Sequence, residues 1–154
     1  MPQRHLSGLT RGRTLFLAAL CLAAVLSITW ATPASAQSFK AYRSSGSLAW
    51  QTDGGSVSNS RGATIGKIEG NSYYSSGGSL KARLEDRKLY NPSGSQVARF
   101  DGGSIYHAQG SLLGKLDNES LSDSHGAGIG KIEGANGLDD PPIVFLASLL
   151  LGII

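Results

Sequence analysis

Ile65-Gly66-Lys67-Ile68-Glu69-Gly70 recurs letter for letter as Ile129-Gly130-Lys131-Ile132-Glu133-Gly134, 64 positions further on. The interval is four strides of sixteen residues. Glycines mark every stride, at Gly46, Gly62, Gly78, Gly94, Gly110 and Gly126, with no insertion between them. An ungapped repeat of this kind sets the architecture before any local reading does.

Each phrase has the same grammar. Five residues before the glycine stand Ala41, Val57, Tyr73, Leu89, Ile105 and Leu121. The next positions hold Tyr42, Ser58, Tyr74, Tyr90, Tyr106 and Ser122. Beyond the glycine the order is small, polar or basic, apolar, acidic, as in Ala82-Arg83-Leu84-Glu85 and Gly114-Lys115-Leu116-Asp117. Alternation with period two is a strand with two unlike faces. Sixteen residues hold two short strands and two tight turns, and cannot hold a pair of helices.

Both turns can be read. After each acid comes a pair such as Gly54-Gly55 or Gly102-Gly103, which suits a two-residue hairpin loop with positive φ. Asp86-Arg87 and Asn118-Glu119 fit that rule less well. The second turn is clearest at Asn91-Pro92-Ser93-Gly94, with Pro presetting φ and a left-handed glycine beside a bulge. The two-residue loop predicts a register. Ile68 faces Tyr73, Leu84 faces Leu89, Phe100 faces Ile105 and Leu116 faces Leu121, apolar against apolar. On the other face Lys67 meets Tyr74, Arg83 meets Tyr90 and Arg99 meets Tyr106.

The ends match as well. Leading residues 39–42 and trailing residues 130–133 pair in the same way, Ile132 against Ala41 and Lys131 against Tyr42. The expected fold is all-β: six 16-residue β-hairpin repeats in a closed pseudo-symmetric ring, followed by an apolar, helical C-terminal segment. An open solenoid is the competitor, and it would need distinct capping repeats.

The phrase in Tyr90–Gly94 and Val97–Gly102 resembles that of the bacterial β-flower proteins. The resemblance covers residues 39–134. It implies a small exported protein of short hairpins around a pseudo-symmetry axis, and it supplies no catalytic residues. Members are named for four or five petals, whereas this chain has six glycine-centred phrases, the first carrying Trp50 where a small residue is usual.

The chain opens with Arg4, Arg11 and Arg13, an apolar run from Leu15 to Trp30, and the small-x-small signal Ala34-Ser35-Ala36. This predicts a signal peptide over residues 1–36, cleaved after Ala36, and a periplasmic or secreted product. An uncleaved anchor is the alternative. Beyond Ala36, eleven Lys and Arg face eleven Asp and Glu, so the basic balance belongs to the leader. That argues against a nucleic-acid partner. The single Cys21 lies in the leader, so residues 37–154 have neither disulfide nor thiolate chemistry.

Residues 37–135 make the repeat domain and 136–142 a linker ending at Asp140, a helix cap, and Pro141, suited to a first turn. Residues 143–154 are apolar except for Ser148 and Gly152. This tail either covers the ring's apolar opening or lies in a partner's groove or a membrane interface, giving weak membrane association through Ile143–Ile154.

No catalytic site, metal site or cofactor is expected. The acid before each hairpin turn is read as bonding local backbone N–H groups. His107 and His125 fall at different phases and form no ligand pair. An enzyme would have to use out-of-phase residues such as Trp50, Asp123 and His125. The function expected is that of an exported, non-enzymatic structural or interaction protein of the envelope or periplasm. Its partner is unknown, with an envelope polymer or a protein as candidates. The alternative is a carbohydrate- or wall-binding module using Tyr74, Tyr90, Tyr106, Lys67, Arg83 and Arg99.

Overall fold

A computed structural model describes residues 37–154. The expected leader and its cleavage site lie in residues 1–36, outside the described residues. The first half of the repeat array gives strands β1 (Phe39–Arg43), β2 (Leu48–Asp53), β3 (Ser56–Asn59), β4 (Thr64–Glu69), β5 (Ser72–Ser75) and β6 (Leu80–Glu85). The second half gives β7 (Lys88–Tyr90), β8 (Gln96–Asp101), β9 (Ser104–His107), β10 (Leu112–Asp117), β11 (Ser120–Asp123) and β12 (Gly128–Glu133). Helix α1 (Pro141–Leu150) follows, the one helix among the described residues.

The two turns alternate around the molecule. Gly54 and Gly55 (φ 56° and 85°) close β2 onto β3, and Gly102 and Gly103 (φ 52° and 86°) close β8 onto β9. Asp86 and Arg87 adopt the same left-handed backbone without being glycine, at φ 48° and 59°. At the other turn, all six phrase glycines have φ between 77° and 95°. The residue that opens that turn often braces it: Asn91 Oδ1 accepts from the Ser95 N–H at 2.9 Å, and Asn59 Oδ1 from Arg61 and Ala63. A bulge recurs beside every one of these turns, six times at one phase.

The expected closed ring of six 16-residue hairpin repeats, followed by an apolar C-terminal segment, is corrected. The sheet is one closed antiparallel barrel of twelve strands, with one short helix. Every strand pairs on both sides, because the bulged glycine turn leaves its flanking strands hydrogen-bonded just as the two-residue turn does. Separate petals would leave free edges, and closure removes them. Five hairpins are closed by contiguous two-residue turns. The sixth is β12 against β1, with Ile132 opposite Ala41 and Lys131 opposite Tyr42.

Twelve strands enclose more space than inward-facing side chains fill, since barrel diameter grows with strand number. Helix α1 fills that space. Ile143, Val144, Phe145, Leu146, Ala147 and Ser148 are all buried, and the Tyr73 and Phe145 rings lie 5.8 Å apart. Small inward residues make room: Ala82 and Ala98 are fully buried, and a Cβ on Gly114 would come within 3.0 Å of Leu151. Residues 135–140 strap the helix across the two-residue-turn end. There the Gly134 N–H donates to Glu119 Oε1 at 2.7 Å, and Arg87 Nη2 donates to Asp139 Oδ1 at 2.9 Å. Asp140 holds the N-cap position without a side-chain cap bond, and proline opens the first turn.

This overturns weak membrane association through Ile143–Ile154. The apolar side chains at the centre of that segment are packed inside the barrel, where each large one contributes roughly 1.5–3 kcal/mol. Among the described residues no helix is long and apolar enough to cross a membrane.

The first repeat departs in composition and compensates in packing. Phe39 stands where later repeats have a turn residue, and it turns inward beside the small Thr52. Thr52 is buried yet satisfied, its Oγ1 accepting from the Phe39 N–H at 3.0 Å. Trp50 takes a small-residue position, and its neighbour Ala49 is buried at the bulge where other repeats carry Ile65, Val97, Leu113 or Ile129.

Candidate functional site

Strand alternation sends one set of side chains into the core and the other to solvent. The outer set forms a belt. The register places Lys67 opposite Tyr74, Arg83 opposite Tyr90 and Arg99 opposite Tyr106. All six of these residues lie on the outer face, the cations exposed and the tyrosines half-buried. Strand order then reads lysine, tyrosine, arginine, tyrosine, arginine, tyrosine from β4 to β9.

The pairs differ in contact. The Arg99 guanidinium lies 4.5 Å from the Tyr106 ring centroid, and that of Arg83 lies 6.0 Å from Tyr90. Such contacts favour a ring flattened under its cation. Lys67 instead bonds to Glu69 at 2.5 Å, two residues along the same strand face, and Glu69 raises the ammonium's pKa. Arg83 likewise reaches Glu85 at 3.1 Å.

The pre-turn acids therefore do not act as read from sequence. Among the described residues, Glu69 and Glu85 bond cations, Glu133 accepts from the Tyr42 hydroxyl at 3.0 Å, and none of the six bonds turn backbone. At the two-residue loops the neighbouring strand bonds the turn's carbonyl: the N–H groups of Ile68, Leu84 and Phe100 donate to the carbonyls of Gly55, Asn71 and Arg87. Bracing falls instead to residues at the glycine turn, Asn59, Asn91 and Asp123.

Periodicity alone leaves Tyr42 and Lys131 out of the belt, because they lie 89 positions apart in sequence. The seam between β1 and β12 joins them, with the Lys131 ammonium 5.2 Å from the Tyr42 ring centroid. The match between the chain's first and last half-hairpins is the signal that finds them. Glu133 holds the Tyr42 phenol above its ordinary pKa, chiefly through the hydrogen bond.

The out-of-phase residues do not converge. Trp50 is on β2 beneath the Arg43 guanidinium at 5.6 Å. Asp123 lies at the end of β11, with β12 and β1 between them. Asp123 Oδ1 accepts from the backbone N–H groups of His125 at 2.8 Å and Ala127 at 2.9 Å. These bonds hold its carboxyl below the ordinary range. Among the described residues no group of three His, Cys, Asp or Glu is placed to hold a metal ion.

The fold and its outer face define a class: a closed barrel of tandem hairpins filled by its own C-terminal helix. The chain belongs to the 5-fold beta-flower proteins, whose family profile matches residues 38–145. Comparisons with curated proteins and with solved structures return no match.

Proposed function

We propose that the protein is an exported, non-enzymatic structural or interaction module whose outer face is its working surface. The observation that carries this reading is the division of labour between the faces. The inner face is committed to packing α1, while the outer face repeats one Tyr–cation pair from strand to strand. Export rests on the basic and apolar leader and on Ala34-Ser35-Ala36. Mass spectrometry of the product recovered from the periplasm or medium tests it. A chain beginning at Gln37 is the expected result, and retention of residues 1–36 would contradict it.

A second reading is a carbohydrate- or wall-binding role for that face. Stacked pairs such as Arg99 with Tyr106 favour it, because a flat ring with cations and hydroxyls around it suits sugars. Repetition around the barrel would add avidity to weak single contacts. Retention on purified cell-wall polymer, weakened when Tyr90 and Tyr106 are both changed to Ser, tests it. No retention on any polymer would remove it.

A further inference from the structure

At each bulge the outer face carries a cross-strand pair, and the six pairs are not alike. Tyr42–Leu48, Tyr74–Leu80, Tyr90–Gln96 and Tyr106–Leu112 each set a tyrosine beside a long side chain. Ser58–Thr64 and Ser122–Gly128 set two small residues together. A groove opens beside each small pair, of about 470 Å³ at the first and about 840 Å³ at the second. Both fall within the roughly 300–1,000 Å³ usual for small-molecule sites.

The two grooves are built from the same repeat positions. Lys67, Glu69 and Tyr74 line the first, and Lys131, Glu133 and Tyr42 line the second. Ser56 matches Ser120, and the backbone of Gly66 matches that of Gly130. The strand passing through each is the duplicated Ile-Gly-Lys-Ile-Glu-Gly, which the repeats between them do not spell. The same three side chains are arranged in two ways. In the first groove Lys67 bonds Glu69; in the second Glu133 accepts from the Tyr42 hydroxyl, and the Lys131 ammonium lies over the Tyr42 ring. Lys67, Glu69, Lys131 and Glu133 are exposed side chains that line their grooves, so the carboxylate and the ammonium of each face an occupant.

Resting on the carbohydrate-binding reading of the outer face, we propose that these grooves are two equivalent subsites for neutral pyranose units of an extended glycan. The tyrosine ring stacks on the apolar face of the sugar. Glu69 or Glu133 accepts from its hydroxyls, while Lys67 or Lys131 and the serine hydroxyl donate. Each triad pairs one ammonium with one carboxylate, so it offers no net charge to a polyanion and many hydrogen bonds to a neutral sugar.

Calorimetric titration of the full chain with β-1,4-linked tetramers of glucose and of N-acetylglucosamine tests this. Saturable binding of one of them at two per chain is expected. Ser58→Tyr and Ser122→Tyr copy the tyrosine found at this phase in four other repeats, so the fold accommodates them. Each is expected to remove one site, and the double variant to weaken binding by more than about tenfold. Gln109→Ala, in the β9–β10 turn and outside the lining of both grooves, is expected to leave both sites. Binding that survives the double variant but is lost with Tyr90→Ser and Tyr106→Ser overturns the grooves and keeps the outer-face reading. Absence of binding to both tetramers overturns the subsites, and wall-polymer retention then decides the broader reading separately. A wild-type stoichiometry other than two overturns their equivalence.

Discussion

Asp123 shows how a turn residue couples the fold to pH. Its carboxylate accepts backbone N–H bonds from His125 and Ala127, so its pKa in the folded state lies below the unfolded value. Folding therefore gains from this group above the ordinary carboxylate range near about 3.9, and the gain is lost as pH falls through the lowered folded value. Asp123→Asn, which copies the Asn91 turn, should flatten the acid limb of a stability–pH profile followed by urea unfolding. An unchanged acid limb would remove this role. Asp86 is a second residue with a local consequence. It holds a left-handed backbone at φ 48°, which costs an L-residue about 1–2 kcal/mol. Asp86→Gly is expected to raise stability by roughly 1 kcal/mol after the entropy of glycine is counted, read as a shift in the urea midpoint. Ser148 is a third. Its Oγ is buried without a hydrogen-bond partner, so Ser148→Ala should stabilise by about 1 kcal/mol.

At the scale of elements, the strands and turns were open to sequence reading and the helix's place was not. Ile68 opposite Tyr73 and Leu84 opposite Leu89 follow from a two-residue loop and a period of two, both local rules. Asp86-Arg87 fitted the loop rule poorly because the glycine preference is a matter of cost, and ladder bonds on both sides overcome it. Helix α1 was visible only as an apolar run behind prolines. Ten residues make a helix of about 15 Å, too short to hold together alone, so its position is set by the cavity that receives it. The Tyr–cation belt was likewise legible by phase, whereas Tyr42 and Lys131 needed ring closure to bring them together. Packing between α1 and the inner row gives a direct prediction. Ala98 is fully buried in that row, so Ala98→Leu should destabilise by about 1–3 kcal/mol through overpacking, measured by thermal or urea unfolding.

For the whole molecule, the constant stride of sixteen and the matching ends give one continuous sheet, and the sheet's width calls for a filling. The first and last strands of the repeat array supply the seam and the segment after it the core: β1 pairs with β12, and α1 occupies the interior. Removing residues 141–154 would uncover the inner row of Val57, Leu89, Ile105 and Leu121, so the shortened chain is expected to aggregate or lose its native sheet signal in circular dichroism. The most direct measurement is a nuclear Overhauser experiment on the full chain. It would look for contacts between the rings of Tyr73 and Phe145, whose centroids are 5.8 Å apart, and between the side chains of Ala41 and Ile132 across the seam. Both sets of cross-peaks are the predicted result. A chain folded in its sheet but lacking the Tyr73–Phe145 contacts would place the helix outside the barrel and contradict the account.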